Sequence, residues 1–471
     1  MPTGSERREA KALVNVQWPA GPPKHLVFGH LPELRRDRLA FLSRLSREYG
    51  DFVPLKLRRR TVVFINDPSY IEAMVFRRAA DYSKNNLSDF FQPAVRRLLR
   101  FEEASSWLDQ RRLAQPALRP DRMPPYAEIM VKSAQDMCDA WRETEVVDVA
   151  AAMRRFTLDI LARSLFDLDL AGMAGDAPAI FDAILEDVGA RAFSSVYLSF
   201  LPTGSNRRSL ARFKQGEKLL DALLAKRRLE AEGRRDLLSV LMLNRGQDGE
   251  VMDGDAVKLV VVPLMFAGHE TTAMALTWTL YLLAGHPEVA RKLRAELETA
   301  LGFRPVTGND LAALPYTGAV FHEALRLYPP IWGFGRQALR DTELGPYRIP
   351  AGTTLFASQW VLQRDGRYFA DPLRFDPDRW SNGLAARLPR CVFMPFGAGP
   401  RRCIGSTFAV LEAVIALATI CRQFELELVP GSEPQLEPLI TLRAKGLKLV
   451  ARRRPQSSIG ETVSAMGERD A

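Results

Sequence analysis

Cysteine is scarce in this chain, with only Cys138, Cys391, Cys403 and Cys421 among 471 residues. None stands in Cys-x-x-Cys or Cys/His zinc spacing, and four thiols over this length make no disulfide framework, so a reducing compartment is expected. Met1 to Val16 lacks the apolar core of a signal peptide, because Glu6, Arg7, Arg8, Glu9 and Lys11 crowd it. No membrane anchor is therefore expected ahead of the fold. Internal repeats and low-complexity tracts are missing as well. The 65 basic and 56 acidic residues leave a net charge of +9, but no nucleic-acid-binding module accompanies it. The basic residues fall in short clusters such as Arg58-Arg59-Arg60, Lys226-Arg227-Arg228 and Arg452-Arg453-Arg454. Such scatter suits a solvated face or an acidic protein partner better than nucleic acid.

What is present is an ordinary globular composition, 47% hydrophobic and 26% charged. The length admits one large domain or two or three smaller ones. Periodicity predicts a helix from Leu39 to Tyr49, then strands Phe52–Leu57 and Thr61–Ile65 around a basic turn. Pro54 puts the first strand at a sheet edge, and Pro68 opens a short helix over Ser69–Phe76. The stretches Met123–Leu170 and Ala177–Leu243 read as helical with little strand signal, and Pro287–Leu301 as one more helix. Tyr347–Thr353 reads as strand–turn–strand. Leu439–Arg443 and Leu447–Val450 suit a terminal hairpin.

Two stretches carry chemistry. Phe396-Gly-Ala-Gly-Pro-Arg-Arg-Cys-Ile-Gly405 sets a cysteine on a glycine-rich loop directly before the apolar run Ser406–Ile420. Glycines at 397, 399 and 405 allow positive φ and close backbone approach, and Pro400 stiffens the turn. A following helix N-terminus, with Arg401 and Arg402, favours the thiolate of Cys403 over the thiol. Such a sulfur serves as nucleophile or metal ligand, whereas a lone cysteine is otherwise a small buried hydrophobe. The second stretch, Lys258–Gly285, is apolar and long enough to span a bilayer. His269 and Glu270 at its middle would be costly in lipid, so a buried central helix is the expected form. Asp253 is a plausible N-cap and Pro263 a kink one turn before Ala267-Gly-His-Glu-Thr-Thr272. Ala267 and Gly268 would let a flat ligand lie against the backbone, with the acid of Glu270 and the hydroxyl of Thr271 adjacent in sequence.

The pattern Phe396-x-x-Gly399-x-Arg401-x-Cys403-x-Gly405 resembles the haem-binding loop of the cytochrome P-450 family. Three further motifs of that family follow in its order. Ala267–Thr272 is similar to its oxygen-activation motif. Glu323 and Arg326, one helical turn apart in Phe321–Leu327, resemble its Glu-x-x-Arg pair, with Arg379 of Phe375–Trp380 as the third member of a structural network. Trp107 and Arg111 resemble its propionate-holding helix, although Ala104 stands where relatives often carry glycine. Gln363-Arg-Asp-Gly stands where many relatives have His-Arg-Asp-Pro; those two positions are not expected to touch the chemistry.

The resemblance implies a mainly α fold, the cytochrome P-450 fold. It has a large helical body, a smaller N-terminal β-region, and haem b between the long central helix and the cysteine loop. One haem domain over 18–454 is expected, with a flexible N-terminus at 1–17 and a disordered tail at 455–471. Cys403 would be the axial metal ligand. Arg401, Arg336, Arg111 and Trp107 would meet the propionates, Phe396 would shield the sulfur, and Ala267 would lie against the ring. Thr271 would bond to the activated oxygen and Glu270 relay protons. Family members driven by peroxide often lack this acid–alcohol pair, so its presence favours O2. The substrate wall would include Phe193 in the apolar segment Phe193–Leu201, with Leu264, Trp332, Phe334 and Ile440. The implied reaction is monooxygenation of a lipophilic terpenoid, steroid or fatty-acid-like compound by a cytoplasmic monomer. Its electrons would come from a separate ferredoxin or flavodoxin with its reductase. A peroxide-driven oxygenase, a haem-dependent isomerase and a non-enzymatic haem sensor are the alternatives.

Overall fold

The structure, a computed structural model, describes residues 17–83, 110–169, 203–234, 236–243, 252–381 and 383–455, with isolated positions between 180 and 187. Trp107 and Phe193–Leu201 lie outside the described residues, as do 1–16 and 456–471. The strands, in chain order, are β1 (Phe52–Leu57), β2 (Arg60–Ile65), β3 (Tyr82–Ser83), β4 (Thr144–Asp148), β5 (Phe334–Ala338), β6 (Thr342–Leu344), β7 (Tyr347–Ile349), β8 (Thr354–Ala357), β9 (Phe424–Leu428), β10 (Gln435–Pro438), β11 (Leu442–Lys445) and β12 (Lys448–Arg453). The largest sheet runs β1-β2-β8-β5-β3. Its edge strand β1 carries Pro54, where a missing N–H costs no ladder bond.

Two sequence expectations need correction. Thr144–Asp148, inside a stretch read as helical, is strand β4, because its ladder partner β12 lies some 300 residues downstream. The terminal strands also do not form one hairpin: β11 pairs with β10, and β12 pairs with β4 and β9. Gly446, at φ 77°, turns the chain from one sheet to the other. The helix opened by Pro68 is shorter than expected, ending at Glu72 and passing into a π-helical turn, Ala73–Arg77.

The central helix spans Gly254–Gly285 and is capped by Asp253, whose carboxylate accepts from the Ala256 N–H at 2.6 Å. It runs through Pro263, whose ring leaves the Leu259 carbonyl without its usual donor. Buried Thr277 and Thr279 satisfy their hydroxyls on the carbonyls one turn back. Trp278 is 1% exposed, stacks on Tyr328 at 4.3 Å and donates to the Leu442 carbonyl at 2.8 Å. Burying one such side chain stabilises by about 1.5–3 kcal/mol. Val149–Phe166 packs along this helix, and Pro315–Leu327, Ser406–Gln423, β9 and β11 also touch it. The central helix and Ser406–Gln423 are both long and apolar enough to cross a membrane. Half and about two thirds of their most apolar stretches are nevertheless buried inside the fold, which fits core helices.

Candidate active site

The cysteine loop is built by local bonds. The Cys403 N–H donates to the Phe396 carbonyl at 2.9 Å and closes the loop, while Gly397 donates to Met394 and Arg402 to Gly399, each at 3.0 Å. Gly397 and Gly399 take positive φ, as the sequence predicts, but Gly405 does not (φ −90°). Gly399 admits no side chain: a Cβ would lie 2.0 Å from the Val75 carbonyl oxygen of the Ala73–Arg77 turn. The loop is thus pressed against that turn and delivers Cys403 just ahead of the helix Ser406–Gln423. Cys403 is exposed, whereas Cys138, Cys391 and Cys421 are buried. Desolvation pushes those three thiols up to about 12, 11 and 12. Only Cys403 has a sulfur open to a ligand.

On the central helix, consecutive side chains diverge by about 100°, and the motif residues divide accordingly. Ala267 is exposed and Thr271 partly so, while Glu270 is 4% exposed on another face. The Thr271 hydroxyl donates to the Ala267 carbonyl at 2.6 Å, leaving its oxygen lone pairs for an acceptor role. Glu270 Oε1 accepts from Arg443 Nε at 2.7 Å and Thr441 Oγ1 at 3.2 Å, both from the β11 region. Gly268 serves packing and not ligand approach, since a Cβ there would meet Leu161 of the neighbouring helix at 3.0 Å. Buried His269 places Nε2 2.8 Å from the Arg154 carbonyl, and desolvation lowers its pKa to about 4. It is a neutral core residue.

Glu323, Arg326 and Arg379 come together in one ion-paired cluster. Glu323 and Arg326 are both 0% exposed, 2.8 Å apart, and Arg379 Nε reaches Glu323 Oε1 at 2.8 Å. Trp380 Nε1 and the Asp376 N–H also donate to Glu323. Arg326 donates further to the carbonyls of Gln363, Pro372 and Arg374. Gln363, one of the two departures from the family's pattern, is 0% exposed and ties this network to the segment that leads into the cysteine loop. Its amide donates to the Leu325 and Arg326 carbonyls at 3.1 Å, and its Oε1 accepts from the Met394 N–H at 3.4 Å.

Basic side chains gather on the cysteine side. Arg111 Nη1 donates to the Arg402 carbonyl at 2.7 Å. Arg336 lies on β5 with its guanidinium 5.1 Å from the Phe334 ring centre, and has no carboxylate within ion-pair reach among the described residues. Desolvation and then repulsion from Arg401 lower Arg336 to about 10, and desolvation lowers Arg401 too. A part-buried cation beside a second cation and without an acid suits an anionic ligand. An accessible thiol and an uncompensated cation fit the iron and the propionates of a haem.

A family model for cytochrome P-450 matches residues 19–450. The chain belongs to the cytochrome P-450 family. Cyclooctatin synthase of Streptomyces melanosporofaciens is 34% identical over 92% of this chain and 94% of its own. Pentalenene oxygenase of Streptomyces avermitilis is 31% identical over 90% and 96% respectively. Among solved structures, the cytochrome P450DA haem domain superposes with a TM-score of 0.80 at 26% identity, covering 93% of this chain and 97% of that one. This cytochrome P-450 is a monooxygenase with a haem cofactor.

Of the residues expected to line the substrate site, Leu264, Trp332, Phe334 and Ile440 are among those described. Leu264, Phe334 and Ile440 are partly exposed. Trp332 is 5% exposed, with its indole N–H donated to the Leu439 carbonyl at 2.9 Å, so its ring fills the core. If Arg336 holds a propionate, Arg336→Gln is expected to speed haem loss to a scavenger protein by roughly ten- to a hundredfold, matching one charge-assisted bond. Arg336→Lys should fall between. Unchanged haem retention in Arg336→Gln would remove Arg336 from the haem site.

Proposed function

We propose that this cytochrome P-450 inserts one oxygen atom from O2 into an apolar, terpenoid-like carbon skeleton, with electrons from a separate ferredoxin or flavodoxin and its reductase. The observation that carries the reading is the acid–alcohol pair of the central helix, with Thr271 on the accessible face and Glu270 buried behind it. The names of two similar proteins, pentalenene oxygenase and cyclooctat-9-en-7-ol 5-monooxygenase, point to largely hydrocarbon substrates. The apolar character of Leu264, Phe334 and Ile440 supports the same class. The net charge of +9 suits an acidic electron donor.

When bound, haem supplies the reduction of O2 and the transfer of one oxygen atom. Cys403 would hold the iron through its thiolate, which donates electron density, and Phe396 would limit water around the sulfur. Arg336, Arg401 and Arg111 would hold the propionates, with Trp107 beside them, and Ala267 leaves room for the flat ring. One oxygen atom leaves as water, so each turnover consumes two protons at the face bearing Thr271. Because its own proton is committed to the Ala267 carbonyl, the Thr271 hydroxyl accepts there, and Glu270 is the nearby acid that can be recharged from solvent. Apolar neighbours exclude bulk water from that face.

The test is turnover under labelled O2 with a ferredoxin–reductase pair and a panel of cyclic terpenes. One labelled oxygen atom per product, with strict dependence on reductant, is expected. Product formed from peroxide alone at the same rate would favour the peroxide-driven reading. Conversion without oxygen uptake would favour an isomerase.

A further inference from the structure

Glu270 is held asymmetrically. Oε1 takes both available bonds, from Arg443 Nε at 2.7 Å and Thr441 Oγ1 at 3.2 Å, while Oε2 is buried without a hydrogen-bond partner. Both donors come from one short segment, 439–443, which also carries Ile440. That segment is pinned on three sides. Trp278 Nε1 donates to the Leu442 carbonyl, the Leu442 N–H donates to Pro330, and Trp332 Nε1 donates to the Leu439 carbonyl. Burying an unpartnered carboxylate oxygen is costly, so the arrangement calls for a reason.

We propose that Arg443 and Thr441 are positioning residues for Glu270, fixing one oxygen on strand β11 so that the other is presented for proton transfer. This rests on the reading of Glu270 as the proton source. In each transfer Oε2 first takes a proton delivered from solvent and then releases it toward the Thr271 face, so the carboxylate ends as it began. Since Ile440 adjoins Thr441, an occupant pressing on Ile440 acts on the anchor of the acid. The hairpin thereby links occupancy of the site to proton delivery. The charged and titratable groups shown near Glu270 are Arg443 on β11 and His269, its neighbour on the central helix. Of these Arg443 alone forms an ion pair with it.

The haem-loaded enzyme is assayed across neutral pH for product formed and peroxide released per reductant consumed. Arg443→Gln is expected to lower product per reductant about tenfold, a fraction of what a positioned acid contributes, with peroxide making up the difference. Arg443→Lys should recover most of the coupling and Thr441→Val lose a lesser part. Glu270→Gln should be uncoupled, and adding Arg443→Gln to it should change nothing further. A second readout does not depend on turnover. In Arg443→Gln the buried carboxylate lacks its cation, so the thermal midpoint should fall below that of wild type. With Glu270→Gln added, the stranded charge is removed and part of that loss should be restored. If Glu270→Gln uncouples while Arg443→Gln stays coupled with a wild-type midpoint, the proposal is wrong and the proton-source reading stands. If Glu270→Gln itself stays coupled, that reading falls and takes the proposal with it.

Discussion

Glu323→Gln is expected to deprive the protein of its folded, haem-retaining state. The side chain is fully buried and accepts from Arg326, Arg379, Trp380 and the Asp376 N–H. One carboxylate therefore faces two guanidiniums, and backbone carbonyls of Gln363, Pro372, Arg374 and Ala370 absorb the remaining donors. Glutamine keeps the shape but removes the only negative charge, among the described residues, within ion-pair reach of Arg326 and Arg379. Breaking a buried pair by removing one partner costs about 3–5 kcal/mol. Whole domains are stable by only about 5–15 kcal/mol, so the loss consumes much of the margin. The damage reaches the haem loop through Gln363, which joins the Arg326 carbonyl to the Met394 N–H. The check is the haem-to-protein ratio together with thermal unfolding. A variant with full haem content and a wild-type midpoint would show the network to be dispensable.

Sequence motifs located the site better than they described its supports. The cysteine loop was legible because its determinants are local: two glycines at positive φ, a turn and a following helix all lie within ten residues. The Glu323–Arg326 pair was legible because one helical turn brings both onto one face. Gln363 was not, because its value lies in bonds to Leu325, Arg326 and Met394, about thirty to forty residues away on either side. Arg443 was missed for the same reason; the only local signal was a threonine and an arginine alternating on a strand beside Ile440. The bond from the Trp332 indole N–H to the Leu439 carbonyl was equally hidden, because its partner lies 107 positions away. Gly268 reads as room for a ligand, but its room is taken by Leu161. Strand β4 carries no periodicity of its own, and its pairing with β12 exists only in the folded chain.

Cys403→Ser should have the other large effect. The sulfur is the one exposed thiol among the four cysteines, and the Cys403 N–H bond to Phe396 fixes it at the head of the cysteine helix. Serine preserves the backbone bond and nearly the volume, so the fold should survive. Its hydroxyl, however, does not ionise at neutral pH and supplies no thiolate electron density to the iron. Oxygen insertion depends on that density and should be lost, while haem can still be reconstituted into the variant. The direct measurement is the absorption spectrum of the reduced, carbon monoxide-bound protein, recorded for wild type and Cys403→Ser side by side. Wild type should show the strongly red-shifted Soret band of a thiolate-ligated haem, and Cys403→Ser should lose it. A thiolate-type band retained by Cys403→Ser would mean that another residue holds the iron.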